Sequence, residues 1–207
     1  MPIQTDVDFI YQIFEQSVED YHIADDVDQD IVVPYEEGSF EYYLYKKNTI
    51  DSLQWHLEDL IRDPDIDPKH ALSIKRRIDA LNQQRTDIVE LIDDFYFNFF
   101  NSIKPRADAK LNTESIAWAL DRLSILSLKI YHMEIEVQRE DVSEEHIDLC
   151  QKKLTLLYTQ KSDLMTAIKQ LLTDIAEGRR VVKMYRAVKM YNDPSTNPVL
   201  YRKHSKE

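Results

Sequence analysis

Apolar residues recur every three or four positions along most of the chain, which is the period of an amphipathic α-helix. The pattern predicts five long helices, at about 7–21, 39–63, 68–103, 113–140 and 143–178. Turn signals separate them, and Pro68 is well suited to open the third helix after an Asp67 N-cap. We expect the fifth helix to pass Gly178, either with a kink or by ending and restarting. The predicted fold class is all-α, an elongated antiparallel bundle of about five long helices.

Two stretches interrupt the helical pattern. The first, near 22–39, is acidic, and we expect it to be irregular because Pro34 and the residue before it cannot continue a helix. The second, near 192–207, is basic and rich in turn-forming residues. Since one core suffices for a chain of about 200 residues, we expect 1–207 to form a single helical domain.

The composition excludes several kinds of binding site. With only two glycines, the chain lacks the dinucleotide-binding fingerprint and the phosphate loop, each of which needs several. Cys150 is the single cysteine, so neither an intramolecular disulfide nor a multi-cysteine zinc site can form. A ferritin-like di-iron bundle needs two Glu-x-x-His motifs, and only Glu19-x-x-His22 occurs. We therefore expect no metal site, and the identity of any cofactor stays unknown.

The net charge of −12 is spread unevenly along the chain. Residues 1–67 hold 3 basic and 18 acidic side chains, whereas residues 179–207 hold 8 basic and 2 acidic ones. The basic tail can pair with acidic groups of the same chain or meet an anionic partner. Nucleic-acid-binding proteins are usually basic, so we expect no nucleic-acid partner. No run of about eighteen apolar residues occurs, so we expect a cytoplasmic protein without a membrane span.

Trp55 lies on a polar face of the second predicted helix. At 100° per residue, Asp59 and Arg62 fall on its side of the helix, opposite the aliphatic line. Tryptophan favours burial while its indole can still donate a hydrogen bond, so this face should meet another helix or a ligand. The first explanation of the pattern is an interhelical polar contact with an Asp59–Arg62 ion pair, and the alternative is a substrate or metal site.

Arg85 stands in the middle of the apolar stripe of the third predicted helix. Burying an unpaired guanidinium is costly, so it needs a ligand anion or a carboxylate. The candidate carboxylates are Asp59, Asp121 and Glu114. The opposite face of this helix is acidic, and it is either solvated or, at Asp87, Glu90 and Asp94, spaced to hold a divalent cation.

The fourth predicted helix is apolar nearly all round over 116–137, which predicts that it lies at the centre of the bundle. Its polar side chains cannot all reach water if other helices surround it. We therefore expect Asp121, Arg122 and His132 to have partners within the protein or in a ligand.

Four motifs support a family resemblance: Trp55-His56-x-Glu58-Asp59, Arg62-Asp63-Pro64, Leu111-Asn112-Thr113-Glu114-Ser115 and Lys189-Met190-Tyr191-Asn192-Asp193-Pro194. The chain resembles, over nearly its whole length, a bacterial family catalogued as domain of unknown function 4254, whose hallmark is Trp-His-x-Glu-Asp. The family has no established activity. What the resemblance implies is a link to cell-envelope polysaccharide assembly, because such genes often lie near glycosyltransferase genes.

Two functions fit these observations. The first is a binding or scaffold protein that meets an unknown protein partner, or a second copy of itself as a homodimer, through the tyrosine-rich basic segment 179–201. The second is a small all-α enzyme acting on a phosphorylated or carboxylated ligand. An open pocket around the candidate residues would favour a ligand, whereas side chains that pair off without a cavity would favour a scaffold.

The enzyme hypothesis assigns roles to nine residues of the predicted second, third and fourth helices. The candidates for acid–base catalysis are His56, Glu58, Asp59 and His132. The candidates for ligand binding are Trp55, Arg62, Arg85, Asp121 and Arg122. One form of this enzyme, a metal-dependent phosphohydrolase, resembles the all-α nucleotide pyrophosphohydrolases, whose paired acidic helices are matched only by Glu90-x-x-Asp93.

Overall fold

Six α-helices make up most of the computed structural model, which describes residues 2–187 and 193–204. After a 3-10 turn at Ile3–Thr5, they are α1 (Val7–Ala24), α2 (Phe40–Leu60), α3 (Pro68–Phe100), α4 (Ile116–Val137), α5 (Glu144–Ala176) and α6 (Pro198–His204). Across these residues the backbone forms no strand, only an isolated bridge between Lys110 and Arg180. The predicted all-α bundle of about five long helices is confirmed.

A polar side chain caps the start of each of the five long helices. Its oxygen accepts a hydrogen bond from a backbone N–H of the first turn, which has no partner inside the helix. The caps are Asp6, Ser39, Asp67, Ser115 and Ser143. Asp67 caps α3 as predicted, with Pro68 in the first helical position.

The end of α5 differs from the prediction. We expected this helix to pass Gly178, but it ends at Ala176 and a turn follows, after which residues 181–187 form no helix. Gly178 has a φ of +72°, and a Cβ atom there would lie 2.9 Å from the carbonyl oxygen of Lys104. The backbone N–H of Arg106 donates to the Gly178 carbonyl at 2.8 Å. The chain thus leaves the helix at a residue whose backbone conformation favours glycine.

Helix α4 lies at the centre of the bundle, as predicted, because it contacts each of the other four long helices. Leu120, Leu123 and Leu128 on this helix are almost inaccessible to solvent. Leu120 and Leu123 belong to a core built from α1, α2, α3 and α4 together with the C-terminal part of α5. None of the helices in the described part of the chain has the length and apolar composition needed to cross a membrane.

The basic segment after α5 pairs with the acidic face of α3. The Arg186 guanidinium lies 2.6 Å from an Asp94 carboxylate oxygen and 3.3 Å from one of Glu90. From the sequence, this acidic face of α3 could be solvated or hold a divalent cation. In the structure Arg186 lies against it. Residues 188–192 lie outside the described residues, and so does the predicted contact surface at Tyr191. A turn lies at 194–196, and the short helix α6 that follows it was not expected.

Candidate functional site

A buried cluster of charged side chains joins α2, α3 and α4. Lys47 on α2 is 1% exposed, and its Nζ lies 2.5 Å from Asp51 Oδ2 and 2.8 Å from Asp121 Oδ1. The two carboxylates are also almost completely buried. Arg85 on α3 adds a second cation, with its Nε 3.3 Å from Asp121 Oδ1. Two positive and two negative groups therefore balance one another inside the protein.

Neutral polar side chains extend this cluster along the contact between α2 and α4. The Ser124 hydroxyl donates to Asp51 Oδ2 at 2.7 Å, and the Asn48 amide donates to the Ser124 and Ser127 hydroxyls at 2.9 and 3.1 Å. Burial raises the pKa of Asp51, and the neighbouring Lys47 cation opposes that rise. These directional contacts fix how α2 lies against α4 at the point where the candidate site begins.

A pocket of about 310 Å³ opens next to the ionic cluster, between α2, α3 and α4. Its lining residues are Asp51, Gln54, Trp55, Glu58, Asp59, Arg62, Arg85, Ile125 and Leu128. Arg62, at the exposed side, lies 3.4 Å from Glu58 and 3.9 Å from Asp59. Arg85 is three-quarters buried, and within the described residues its one ion pair is the contact with Asp121. Its Nε atom makes no hydrogen bond to a described residue, and a guanidinium has five N–H donors with which it can bind an anion.

Three histidines from three helices meet on the other side of Trp55. They are His22 of α1, His56 of α2 and His132 of α4, and one ring nitrogen of each lies within 4.8 Å of those of the other two. The Nε2 atoms of His22 and His56 are 3.1 Å apart. Burial lowers the pKa of His132 to about 4, with further lowering by the other two histidines, and burial also lowers the pKa of His56. His56 and His132 are therefore neutral imidazoles at neutral pH.

Trp55 connects the pocket to this histidine cluster. Its indole stacks on the His132 imidazole, with the ring centres 4.8 Å apart and the planes 7° from parallel. Aromatic rings also contact the other two imidazoles, since Tyr21 stacks on His56 at 5.3 Å and Tyr131 lies 4.2 Å from His22. The candidate site therefore consists of the pocket and the histidine cluster, with Trp55 between them.

The pocket and the histidine cluster lie mainly in the part of the chain that matches a known family. The family described as Protein of unknown function (DUF4254) matches residues 41–184. The chain belongs to this family. The family match includes α2 to α5, with the whole pocket, His56 and His132, but it is shorter than expected and His22 precedes it. No curated protein and no solved structure shows significant similarity to the chain.

The structure brings eight of the nine predicted site residues together. Trp55, Glu58, Asp59, Arg62 and Arg85 line the pocket, and Asp121 contacts Arg85. His56 and His132 belong to the neighbouring histidine cluster. Arg122 is the exception, because it is 63% exposed and pairs with Glu114 away from this pocket. Of the three carboxylates predicted as partners of Arg85, the structure selects Asp121.

Three contributors were missed from the sequence: Lys47, Asp51 and His22. Lys47 lies beside the aliphatic line of α2, one turn before Asp51, and a lysine in that position is a signal of a buried ion pair. His22 lies at the end of α1, and its one local signal in the sequence is the Glu19-x-x-His22 spacing. No local spacing connects it to His56, 34 residues later, so only the packing of α1 on α2 could reveal the cluster.

Glu90 and Asp93, the one match to the pyrophosphohydrolase pattern, have other partners. Glu90 pairs with Arg186 and accepts a hydrogen bond from the backbone N–H of Ala187. Asp93 is buried and accepts one from the N–H of Ala117 at 3.2 Å. The two carboxylates therefore stabilise the tail and the start of α4.

A second cavity, of about 430 Å³, lies beside the other tryptophan of the chain, Trp118. Its walls include the 111–115 motif, Arg122 and residues 181–183 after α5. Each tryptophan therefore reports on a different cavity, which provides a way to locate a bound ligand.

Proposed function

We propose that the protein binds a small molecule carrying a phosphate or a carboxylate in the pocket between α2, α3 and α4. The observation that supports this proposal is Arg85, a largely buried guanidinium anchored on one side by Asp121 and lining an open cavity. A guanidinium presents its donors in a planar fork that matches phosphate and carboxylate oxygens. This combination of an anchored arginine and a cavity favours a ligand over a purely structural ion pair.

The rest of the pocket suits an organic group attached to that anion. Trp55, Ile125 and Leu128 provide apolar surface, and a ring can pack on the indole face. Glu58 and Asp59 can accept hydrogen bonds from sugar hydroxyl groups. The volume is in the range of small-molecule sites. Together with the link to cell-envelope polysaccharide assembly that the family resemblance implies, this makes phosphorylated sugars and sugar nucleotides the first ligands to test.

The neighbouring histidines favour a second candidate, an enzyme that acts on the same class of ligand. A neutral imidazole can accept a proton from a reacting group, and His56 is neutral and only partly buried. An assay for inorganic phosphate released from a hexose phosphate separates the two candidates, because a binding protein leaves its ligand unchanged. Turnover that disappears in His56→Gln would support the enzyme.

Arg85→Gln is expected to weaken ligand binding at least about tenfold, since it removes charge-assisted hydrogen bonds worth about 1.5–3 kcal/mol. Asp121 keeps Lys47 as a partner, so the variant should fold. The measurement is calorimetric titration with inorganic phosphate, a hexose 1-phosphate and a uridine diphosphate sugar, after a thermal-shift screen.

Arg122→Gln is the matched control, because it removes an arginine of the same predicted class that lies outside the pocket. Its affinity should equal that of the wild type. Unchanged binding by Arg85→Gln, or an equal loss in Arg122→Gln, would refute the proposed location of the ligand.

A further inference from the structure

The histidine cluster has the construction of a metal site. His22 lies in the last turn of α1, His56 in the last quarter of α2 and His132 near the end of α4, so residues far apart in sequence supply the three rings. Each ring is held by an aromatic neighbour: Tyr131 for His22, Tyr21 for His56 and Trp55 for His132. Such support restricts the rotation of the imidazoles and keeps their nitrogen atoms close together.

The hydrogen bond on the far side of His22 fixes which nitrogen faces the cluster. His22 Nδ1 lies 2.6 Å from the backbone carbonyl oxygen of Val18. A carbonyl oxygen can only accept, so Nδ1 carries a proton and the lone pair of the neutral ring lies on Nε2. That Nε2 atom faces His56 Nε2 at 3.1 Å. Metal-binding histidines are commonly oriented in this way, by donating their other ring N–H to a carbonyl group.

His132 supplies a second, independent observation. Its Nε2 atom is buried and has no hydrogen-bond partner among the described residues. Buried polar atoms normally have a partner, because an unsatisfied one costs free energy.

We propose that His22, His56 and His132 bind one divalent transition-metal ion, with Zn²⁺ as the first candidate. Bonds of about 2.0–2.1 Å in a tetrahedral site place ligand nitrogens roughly 3.3–3.4 Å apart. The His22–His56 pair is at 3.1 Å, and a ring nitrogen of His132 lies within 4.8 Å of a ring nitrogen of each of the other two histidines, which is close to that arrangement. Imidazole ligands suit zinc, copper, iron and nickel more than magnesium or calcium.

Asp25 provides a carboxylate next to the three rings. Its Oδ1 atom lies 3.5 Å from His56 Nε2, and its side chain is more than half exposed. It can act as a fourth ligand or leave the fourth position open to water or another ligand. This metal proposal departs from the sequence analysis, which expected no metal site, and it does not depend on an anion binding beyond Trp55.

A second group of potential ligands, Glu136, His146 and Cys150, serves as an internal comparison. There Arg139 already lies 3.1 Å from the Glu136 carboxylate, so a cation of the protein neutralises the one charged ligand. Among the described residues, no lysine or arginine pairs with the three histidines of the proposed site, and the one ion pair there is the contact of His56 with the Asp25 carboxylate.

The test uses the full chain, stripped of metal by a chelator and titrated with Co²⁺, whose visible absorption reports coordination geometry, and then with competing Zn²⁺. We expect one Co²⁺ per chain with the spectrum of a tetrahedral nitrogen-rich site. His22→Gln, His56→Gln and His132→Gln should each lower the affinity more than about 100-fold, beyond the 10–100-fold effect typical of an outer-shell partner. His70→Gln, an exposed histidine at the start of α3, is the matched control and should bind as the wild type does.

His146→Gln distinguishes the two clusters and should leave Co²⁺ binding unchanged. Circular dichroism of the metal-free variants checks that each is folded, so that a lost site is not mistaken for a lost fold. Absence of stoichiometric Co²⁺ or Zn²⁺ binding by the wild type would overturn the proposal. So would wild-type affinity in any folded variant of the three histidines, or loss of binding in His146→Gln. These readouts involve no anionic ligand, and therefore a failed metal site and a failed anion pocket are distinguishable.

Discussion

Lys47→Met is expected to lower the free energy of unfolding by about 3–5 kcal/mol, because it leaves a buried carboxylate without its cation. Lys47 lies between Asp51 and Asp121, and all three side chains are almost completely inaccessible to water. Arg85 remains next to Asp121 in the variant, so the uncompensated charge is mainly that of Asp51. Urea unfolding of the variant and the wild type at neutral pH measures the loss, when the free energy of unfolding depends on urea concentration with the same slope in both proteins.

Two variants establish the cause of this loss. Lys75→Met removes the lysine of the Lys75–Asp79 pair, which has the same i, i+4 spacing. Because both side chains of this pair are about half exposed, the free energy of unfolding should change by less than about 1 kcal/mol. Lys47→Met combined with Asp51→Asn removes the charge together with its partner and should recover most of the stability. Wild-type stability of Lys47→Met, or no recovery in the double variant, would contradict a balanced buried cluster.

The effect of Lys47→Met should also depend on pH. The Lys47→Met penalty comes from ionised Asp51, and burial already raises the pKa of this carboxyl above its usual 3.8. As the pH falls, a carboxyl group whose pKa is raised in the folded state becomes neutral in the native protein at a higher pH than in the unfolded chain. The difference between the variant and the wild type should therefore shrink as the pH falls through that raised pKa.

Leu123→Ala is expected to cost about 2–5 kcal/mol, because it opens a cavity at the centre of the bundle. Leu123 is 0% exposed and lies on α4, the helix that contacts all four other long helices. Ile135→Ala is the matched control on the same helix, at a side chain that is 46% exposed, and it should change stability by less than about 1 kcal/mol. Equal effects of the two substitutions on thermal or urea unfolding would show that α4 is not the central helix.

The apolar pattern predicted the helices and the central position of α4 because both depend on properties local to one helix. Period 3.6 determines which side of a helix is apolar, and a helix that is apolar all round must be surrounded. The same reasoning predicts Trp55, Asp59 and Arg62 on a second, polar face of α2 that meets another helix or a ligand, and the pocket lies at that face. Gly178 was harder to interpret, since its position in sequence does not say that Lys104 lies against it.

The pairing between helices could not be read from the sequence. A helical wheel gives the direction of Arg85 on α3 but not the helix it meets, so three carboxylates stayed equally suitable until the packing selected Asp121. Arg122 follows Asp121 directly, and yet the rotation of 100° between neighbours takes it out of the core to Glu114. His22 illustrates the same limit, because its distance from His56 depends on how far α1 extends along α2.

The most direct test of the proposed pocket uses the two tryptophans as separate reporters. Trp118→Phe leaves Trp55 as the one tryptophan of the chain, and Trp55→Phe leaves Trp118 beside the other cavity. Each protein is titrated with the phosphorylated sugar or sugar nucleotide that gives the largest thermal shift, and the indole emission is recorded. We predict a saturable change in the emission of Trp55 and none in that of Trp118. A change confined to Trp118, or ligand binding by calorimetry with no change at Trp55, would contradict the proposed pocket.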